Sequence, residues 1–199
     1  GSGLDGWAVT GKKTLVTVVK VPGKGRGQEA TNKCSVRAAI MEANKKAGAD
    51  TITLPAGTFK LTLAGACEDL GAKGDLDVTS TSLTITGASA ATSIIDGGTS
   101  ADRVFDVRNK SYLVLSKLTV QNGKGGASSA DDGGGGIRAT GGSSLTLSSV
   151  TVQKNTSPYH GAGILFNYLA FGSPVPAKLT IVGATIANNI ANRNGGGIA

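Results

Sequence analysis

The stretch Leu145-Thr146-Leu147-Ser148-Ser149-Val150-Thr151-Val152-Gln153-Lys154-Asn155 has two close relatives in the same chain. Leu113-Val114-Leu115 runs on to Leu118-Thr119-Val120 and Asn122, and Leu179-Thr180-Ile181 runs on to Ala184-Thr185-Ile186 and the pair Asn188-Asn189. Each copy reads apolar-x-apolar, a two-residue spacer, apolar-x-apolar, then asparagine. A second marker sets the register. Ile137, Ile164 and Ile198 each follow a glycine-rich run. From Ile137 to Leu145 is eight residues and from Leu145 to Ile164 nineteen, which gives a unit of 27. The longer intervals, 32 from Phe105 to Ile137 and 34 from Ile164 to Ile198, imply insertions of five and seven within residues 124–132 and 166–176.

Each unit holds about three short strands of period 2, broken by turn residues. One unit cannot bury its own apolar face, whereas stacked units can. Leucine then sits over leucine and isoleucine over isoleucine, with Thr, Ser and Lys outside. Asparagine at a fixed corner suits a left-handed backbone, and the glycine runs suit tight corners. A propeller blade needs about 40 residues or more, and a sandwich does not repeat its corners. The pattern therefore predicts an all-β chain, a parallel β-helix. Looser copies upstream, Leu83-Thr84-Ile85 with Ile94-Ile95 and Ile52 to Leu54 with Phe59 to Leu63, bring the expected total to about five coils over residues 51–199.

The composition agrees. There are 31 glycines in 199 residues, 39% hydrophobic residues and only 4% aromatic, so the core must be aliphatic. No apolar run approaches the roughly 18 residues of a membrane-spanning helix. The formal charge is +7, and residues 1–60 carry ten Lys or Arg against four acids. A basic end of this kind fits a solvated surface, an anionic polysaccharide or a membrane face. Nucleic acid is a poor match, because stacking aromatics are scarce and no basic helix occurs. Gly1-Ser2 reads as a cloning remnant.

Residues 3–50 read as an N-terminal cap, with a strand near Thr14 to Val19 and one helix over residues 35–46. Ser35 is the expected N-cap. Val36, Ala39, Ile40 and Ala43 share one helical face, with Arg37, Lys45 and Lys46 away from it, and Gly48 ends the helix. A solenoid needs such a cover over its first coil.

Thr31-Asn32-Lys33-Cys34-Ser35-Val36-Arg37-Ala38-Ala39-Ile40, with Glu42-Ala43-Asn44 and Gly48-Ala49-Asp50-Thr51-Ile52-Thr53-Leu54-Pro55, resembles the CSLREA-type N-terminal region of bacterial right-handed parallel β-helix proteins. Gly74-Asp75-Leu76-Asp77, Ile95-Asp96-Gly97-Gly98 and the repeated Gly-Gly-Gly-Ile elements are similar to that family too, and to polymorphic membrane proteins and autotransporter passengers. Ala38 departs from the pattern, where the family carries Glu, so the capping box from Ser35 is incomplete. The resemblance implies a right-handed, pectin-lyase-like solenoid, secreted or at the bacterial cell surface, with an adhesin-like or passenger role. The rival is a polysaccharide-active lyase or hydrolase, or a carbohydrate-binding rod. Host surfaces and anionic polysaccharide are the partners such a role implies.

The candidate chemistry is sparse. Asp131 and Asp132 lie 29 and 28 residues before His160, about one coil, and loosely resemble the Asp-Asp and His-Gly elements of polygalacturonase-like enzymes. No further acid or base partner accompanies them, and loop acids are ordinarily solvated, so no catalytic site is assigned. Glu68, Asp69, Asp75 and Asp77 form the one acidic cluster in sequence. Oxygen ligands of this kind suit Ca²⁺, but their spacing fits no standard loop, so no metal or cofactor is assigned. Phe166, Tyr168 and Phe171, in an insertion, would stack on sugars if exposed and would otherwise fold onto the rod. Cys34 and Cys67 form no metal motif with a single histidine. In an exported protein they are expected to form a disulfide joining cap to rod. The chain stops at the start of a new coil by the 27-residue register, so a fragment of a longer repeat protein with end-to-end self-association is expected.

Overall fold

The computed structural model describes residues 14–17, 35–45, 48–65, 71–80, 82–98, 100, 102–126, 132–167 and 177–199. Apart from one helix, its regular structure consists of short parallel strands stacked into a β-helix. Three sheets run along the rod. The first holds β1 (Thr14–Thr17), β2 (Ala49–Leu54), β5 (Ser82–Gly87), β8 (Tyr112–Ser116), β11 (Ser144–Ser148) and β15 (Leu179–Val182) in that order. The second holds β3 (Gly57–Lys60), β6 (Ser93–Asp96), β9 (Thr119–Gln121), β12 (Thr151–Gln153) and β16 (Thr185–Ala187). The third holds β4 (Leu76–Val78), β7 (Phe105–Val107), β10 (Ile137–Ala139) and β14 (Ile164–Phe166). A short pair, β13 (Thr156–Ser157) with β17 (Ile190–Ala191), adds a fourth side to the last coils. Successive coils supply five strands to the first sheet, which corresponds to about four full turns.

The register is the one the repeat prescribes. Leu145 pairs with Leu113 and Leu179, Val152 with Val120 and Ile186, and Ile137 with Phe105 and Ile164. Period-2 alternation turns these side chains inward. Leu83, Leu113, Leu145, Ile95, Val120, Val152, Phe105, Ile137 and Ile164 are fully buried in one continuous core. Burying a side chain of this size is worth about 1.5–3 kcal/mol, so the ladders drive the stacking.

The corner asparagines divide into two kinds. Asn122, Lys154 and Asn188 occupy equivalent corner positions and all have left-handed φ, near +59°, +55° and +56°. The expected asparagine corner therefore holds in two coils, and a lysine adopts it in the third. The next position, Gly123, Asn155 and Asn189, turns inward instead. Asn155 Oδ1 accepts from Gly123 N at 2.9 Å, and Asn155 N and Nδ2 donate to Asn189 Oδ1 at 3.0 and 2.9 Å. Asn189 Nδ2 returns to Val152 O at 3.0 Å. This amide ladder satisfies corner groups that are buried or partly buried. Gly123 must be small, since a Cβ there would stand 2.0 Å from Gly135 O.

At the N-terminal end, α1 (Val36–Lys45) lies over β4, and β1 extends the first sheet by pairing in parallel with β2. Ser35 Oγ accepts from Ala38 N at 3.1 Å, which is an N-cap at the third helical amide. Val36, Ala39, Ile40 and Ala43 are buried, as the helical spacing predicts. Arg37 is the exception. It is buried as well, because the loop at residues 71–75 supplies acceptors the sequence does not reveal. Asn44 closes the edge of β4 like a strand, donating Nδ2 to Asp77 O at 2.7 Å and accepting Thr79 N on Oδ1 at 3.0 Å.

Candidate functional site

The third sheet has charged residues where solvent-facing positions belong. β4, β7 and β10 bury their first and last side chains, so the middle residue points outward. In register, those middle residues are Asp77, Asp106 and Arg138, followed by Leu165 in β14. They are nevertheless covered. Asp77 and Asp106 are buried to 2% and 1% exposure, as are the neighbouring Asp75, Asp102 and Arg103. One carboxylate oxygen from each of Asp75, Asp77 and Asp106 lies within 4.8 Å of the others. Two aspartates opposite each other on adjacent strands repel, and the repulsion grows as water is removed.

Three arginines offset it. Arg138 holds Asp106 with two parallel bonds, Nε to Oδ1 at 3.0 Å and Nη2 to Oδ2 at 2.6 Å, and reaches Asp132 Oδ1 at 3.0 Å. Arg108 spans Asp77 Oδ1 at 2.6 Å and Asp106 Oδ2 at 3.2 Å. Arg103 sits among Asp75 at 3.3 Å, Asp106 at 3.6 Å and Asp132 at 3.7 Å. Asp77 Oδ2 also accepts Gly71 N at 2.7 Å. The forked geometry of arginine suits carboxylates that are short of water. From the cap, Arg37 donates to the carbonyls of Gly71 at 2.8 Å, Gly74 at 2.6 Å and Asp75 at 2.5 Å. The same loop thus joins the charged cluster to the helix.

Burial pushes the Asp75 carboxyl up to about 8, aided by the charges of Asp102, Asp77 and Asp106 and resisted by Arg103. Burial likewise raises Asp77 to about 6, against the pull of Arg108. Asp102 is raised by burial, with Arg103 resisting. Burial works against the charge of Arg138, but its bond to Asp106 and the charges of Asp106 and Asp132 outweigh this and raise it.

Of the acidic residues adjacent in sequence, the structure brings Asp75 and Asp77 together and adds Asp102, Asp106 and Asp132. Glu68 and Asp69 lie outside the described residues, as do Asp131, Tyr168, Phe171, Cys34 and Cys67. The cluster is therefore not one acidic run but a meeting of three coils. The sequence signal was a charged residue directly after each third-sheet anchor: Asp77 after Leu76, Asp106 after Phe105 and Arg138 after Ile137.

Asp132 and His160 do fall on neighbouring coils, as the 27-residue register implies, since Gly134 N donates to His160 O at 3.2 Å. Their side chains have separate partners. The Asp132 carboxylate pairs with Arg138 and Arg103, while His160 Nδ1 accepts Asn194 N at 3.3 Å. Beside it, the Arg193 guanidinium lies 5.1 Å from the centre of the Tyr159 ring. Phe166 is half-buried and packs on the core, so it folds onto the rod. Among the described residues, no helix is long and apolar enough to cross a membrane. Comparisons with protein-family models, with curated proteins and with solved structures gave no match.

Proposed function

We propose that the chain is a non-catalytic β-helix scaffold from an exported bacterial protein, an adhesin-like or passenger region of the CSLREA type. The observation that carries this reading is the burial of the charged cluster. A glycoside hydrolase must present two carboxylates to its substrate about 5–9 Å apart. Here Asp75, Asp77, Asp102 and Asp106 are 1–3% exposed, and Arg103, Arg108 and Arg138 pair with Asp75, Asp77 and Asp106. A polymer cannot reach them without displacing those arginines. Such pairing ties coils together, which is what a rigid rod requires.

The reading is tested in two assays. Incubation with polygalacturonate and pectin is expected to release neither reducing ends nor unsaturated products. Turnover that disappears in Asp132→Ala would replace the scaffold with an enzyme. Protease treatment of intact source cells is expected to remove the protein, and full protection inside the cell would overturn the exported assignment.

A further inference from the structure

Most oxygens in the charged cluster have a donor, but two do not. Asp75 Oδ1 and Asp102 Oδ2 have no hydrogen-bond partner among the described residues, although Asp75 is 1% and Asp102 3% exposed. Each acid's other oxygen depends on the same residue. Asp75 Oδ2 meets Arg103 Nη1 at 3.3 Å, and Asp102 Oδ1 accepts Arg103 N at 2.8 Å. Of the neighbouring carboxylates, Asp102 raises the Asp75 carboxyl most.

Backbone oxygen converges on the same place. A Cβ on Gly74, the residue before Asp75, would stand 2.8 Å from Asp102 Oδ2 and 2.1 Å from Gly65 O. Gly74 has φ +67°, a left-handed conformation suited to glycine. Asp102 Oδ2 and Gly65 O thus crowd one glycine, the residue that precedes Asp75. Charge is also out of balance. With every acid ionised, Asp75, Asp77, Asp102, Asp106 and Asp132 face Arg103, Arg108 and Arg138, an excess of two negative charges. Counting Arg37, whose guanidinium is bound to main-chain carbonyls, the excess is one. A buried carboxylate with an unmet oxygen, in a cluster short of positive charge, is strongly unfavourable.

We propose that Asp75 and Asp102, with the Gly65 carbonyl, hold a calcium ion that fastens the coil of β4 to the coil of β7. The donors are all hard oxygens, carboxylate and carbonyl, in irregular arrangement, which suits calcium. Magnesium demands near-ideal octahedral geometry and gives up its waters reluctantly, so it is rarely held mainly by protein oxygens. Zinc prefers nitrogen and sulfur donors. The raised Asp75 carboxyl is consistent with a site that needs a cation or a proton to be stable. A shared proton between the two acids is the competing way to neutralise it. This inference goes beyond the scaffold reading and does not depend on it.

The test uses the whole 199-residue chain, stripped with a chelator and titrated with CaCl₂ at neutral pH by calorimetry. One calcium per chain is expected, with a rise in unfolding temperature that an equal concentration of MgCl₂ does not give. Asp102→Asn and Asp75→Asn are expected to weaken binding by at least about tenfold, whereas Asp132→Asn keeps it. Should the variants fail to fold, the wild-type stoichiometry and temperature shift decide alone. No bound calcium, an unfolding temperature indifferent to calcium, or binding that persists in both variants would overturn the site. The first two results would leave a shared proton as the neutralising species.

Discussion

The first coil and the coil of β15, β16 and β17 are built on the same repeat and differ in how they are covered. At the N-terminal end, α1 covers β4, β1 covers β2, and Arg37 and Asn44 satisfy the backbone groups a first coil exposes. In the coil of β15, β16 and β17, the ladders continue but the burial does not. Val182 is 60% and Ile190 65% exposed, and Leu179 and Ile186 are only partly buried. Leu145, one coil earlier at the same rung as Leu179, is fully buried. The strand pairing is equal in both places, so the difference lies in neighbours. A coil gains its core from the coils on both sides, and stability in such an array is a sum of nearest-neighbour terms.

The largest test of this contrast is a pair of identical truncations. Leu145→Ala is expected to lower stability by about 2–5 kcal/mol, as for a fully packed core leucine. Leu179→Ala, in the last coil, is expected to cost about 1 kcal/mol, within the ordinary range for a partly exposed site. Denaturant melts of both variants at matched m-values measure the ratio. Equal losses would show that the last coil is as well packed in solution as the interior.

Arg37→Met is next. It keeps much of the side-chain bulk but leaves the carbonyls of Gly71, Gly74 and Asp75 without this donor. A loss of about 1–3 kcal/mol is expected, together with faster hydrogen exchange in α1 and β4 and unchanged exchange in β11 and β12. Faster exchange throughout would mean that the cap and the rod unfold as one unit. Ser35→Ala removes only the N-cap acceptor of Ala38 N and should cost about 1 kcal/mol. Its effect too should stay within the cap. An Ala38→Glu variant restores the residue a capping box needs and is expected to stabilise the helix by a smaller amount, read as a rise in Tm.

The last effect is electrostatic. In calcium-free, chelated protein, Asp75 is raised from 3.8 to about 8. The folded chain then holds a proton that the unfolded chain releases at lower pH. Unfolding therefore loses protons across that window, and stability falls as pH rises from about 4 to about 8, levelling above. Asp77, raised to about 6, adds to the fall over the lower part of the window. Asp75→Asn is expected to flatten this slope and raise Tm by a few degrees at pH 8, with the gain shrinking toward pH 5. A slope unchanged by the substitution would place the buried proton elsewhere.

Where apolar residues dictate packing, the sequence was legible. The Leu113–Leu145–Leu179 rung, the glycine-rich approach to each third-sheet isoleucine and the Ser35 cap all follow from local pattern, because period and turn chemistry are properties of adjacent residues. The corner was legible only in part. Asn122 and Asn155 look alike in sequence, yet one takes the left-handed backbone and the other builds the inner amide ladder, a choice set by register: Asn122 aligns with Lys154 and Asn155 with Gly123.

The sequence by itself determined a stack of parallel coils with an aliphatic interior and a helical lid, since each coil must bury its face on the next. Only the tertiary structure decided where the charges go. Asp77, Asp106 and Arg138 are about thirty residues apart in the chain and adjacent in the sheet. Their burial depends on Arg103, Arg108 and the loop carrying Asp75 arriving from other coils. Whether an aspartate is solvated or locked in a salt bridge depends on what lies across from it, and neighbouring letters in the sequence do not contain that information.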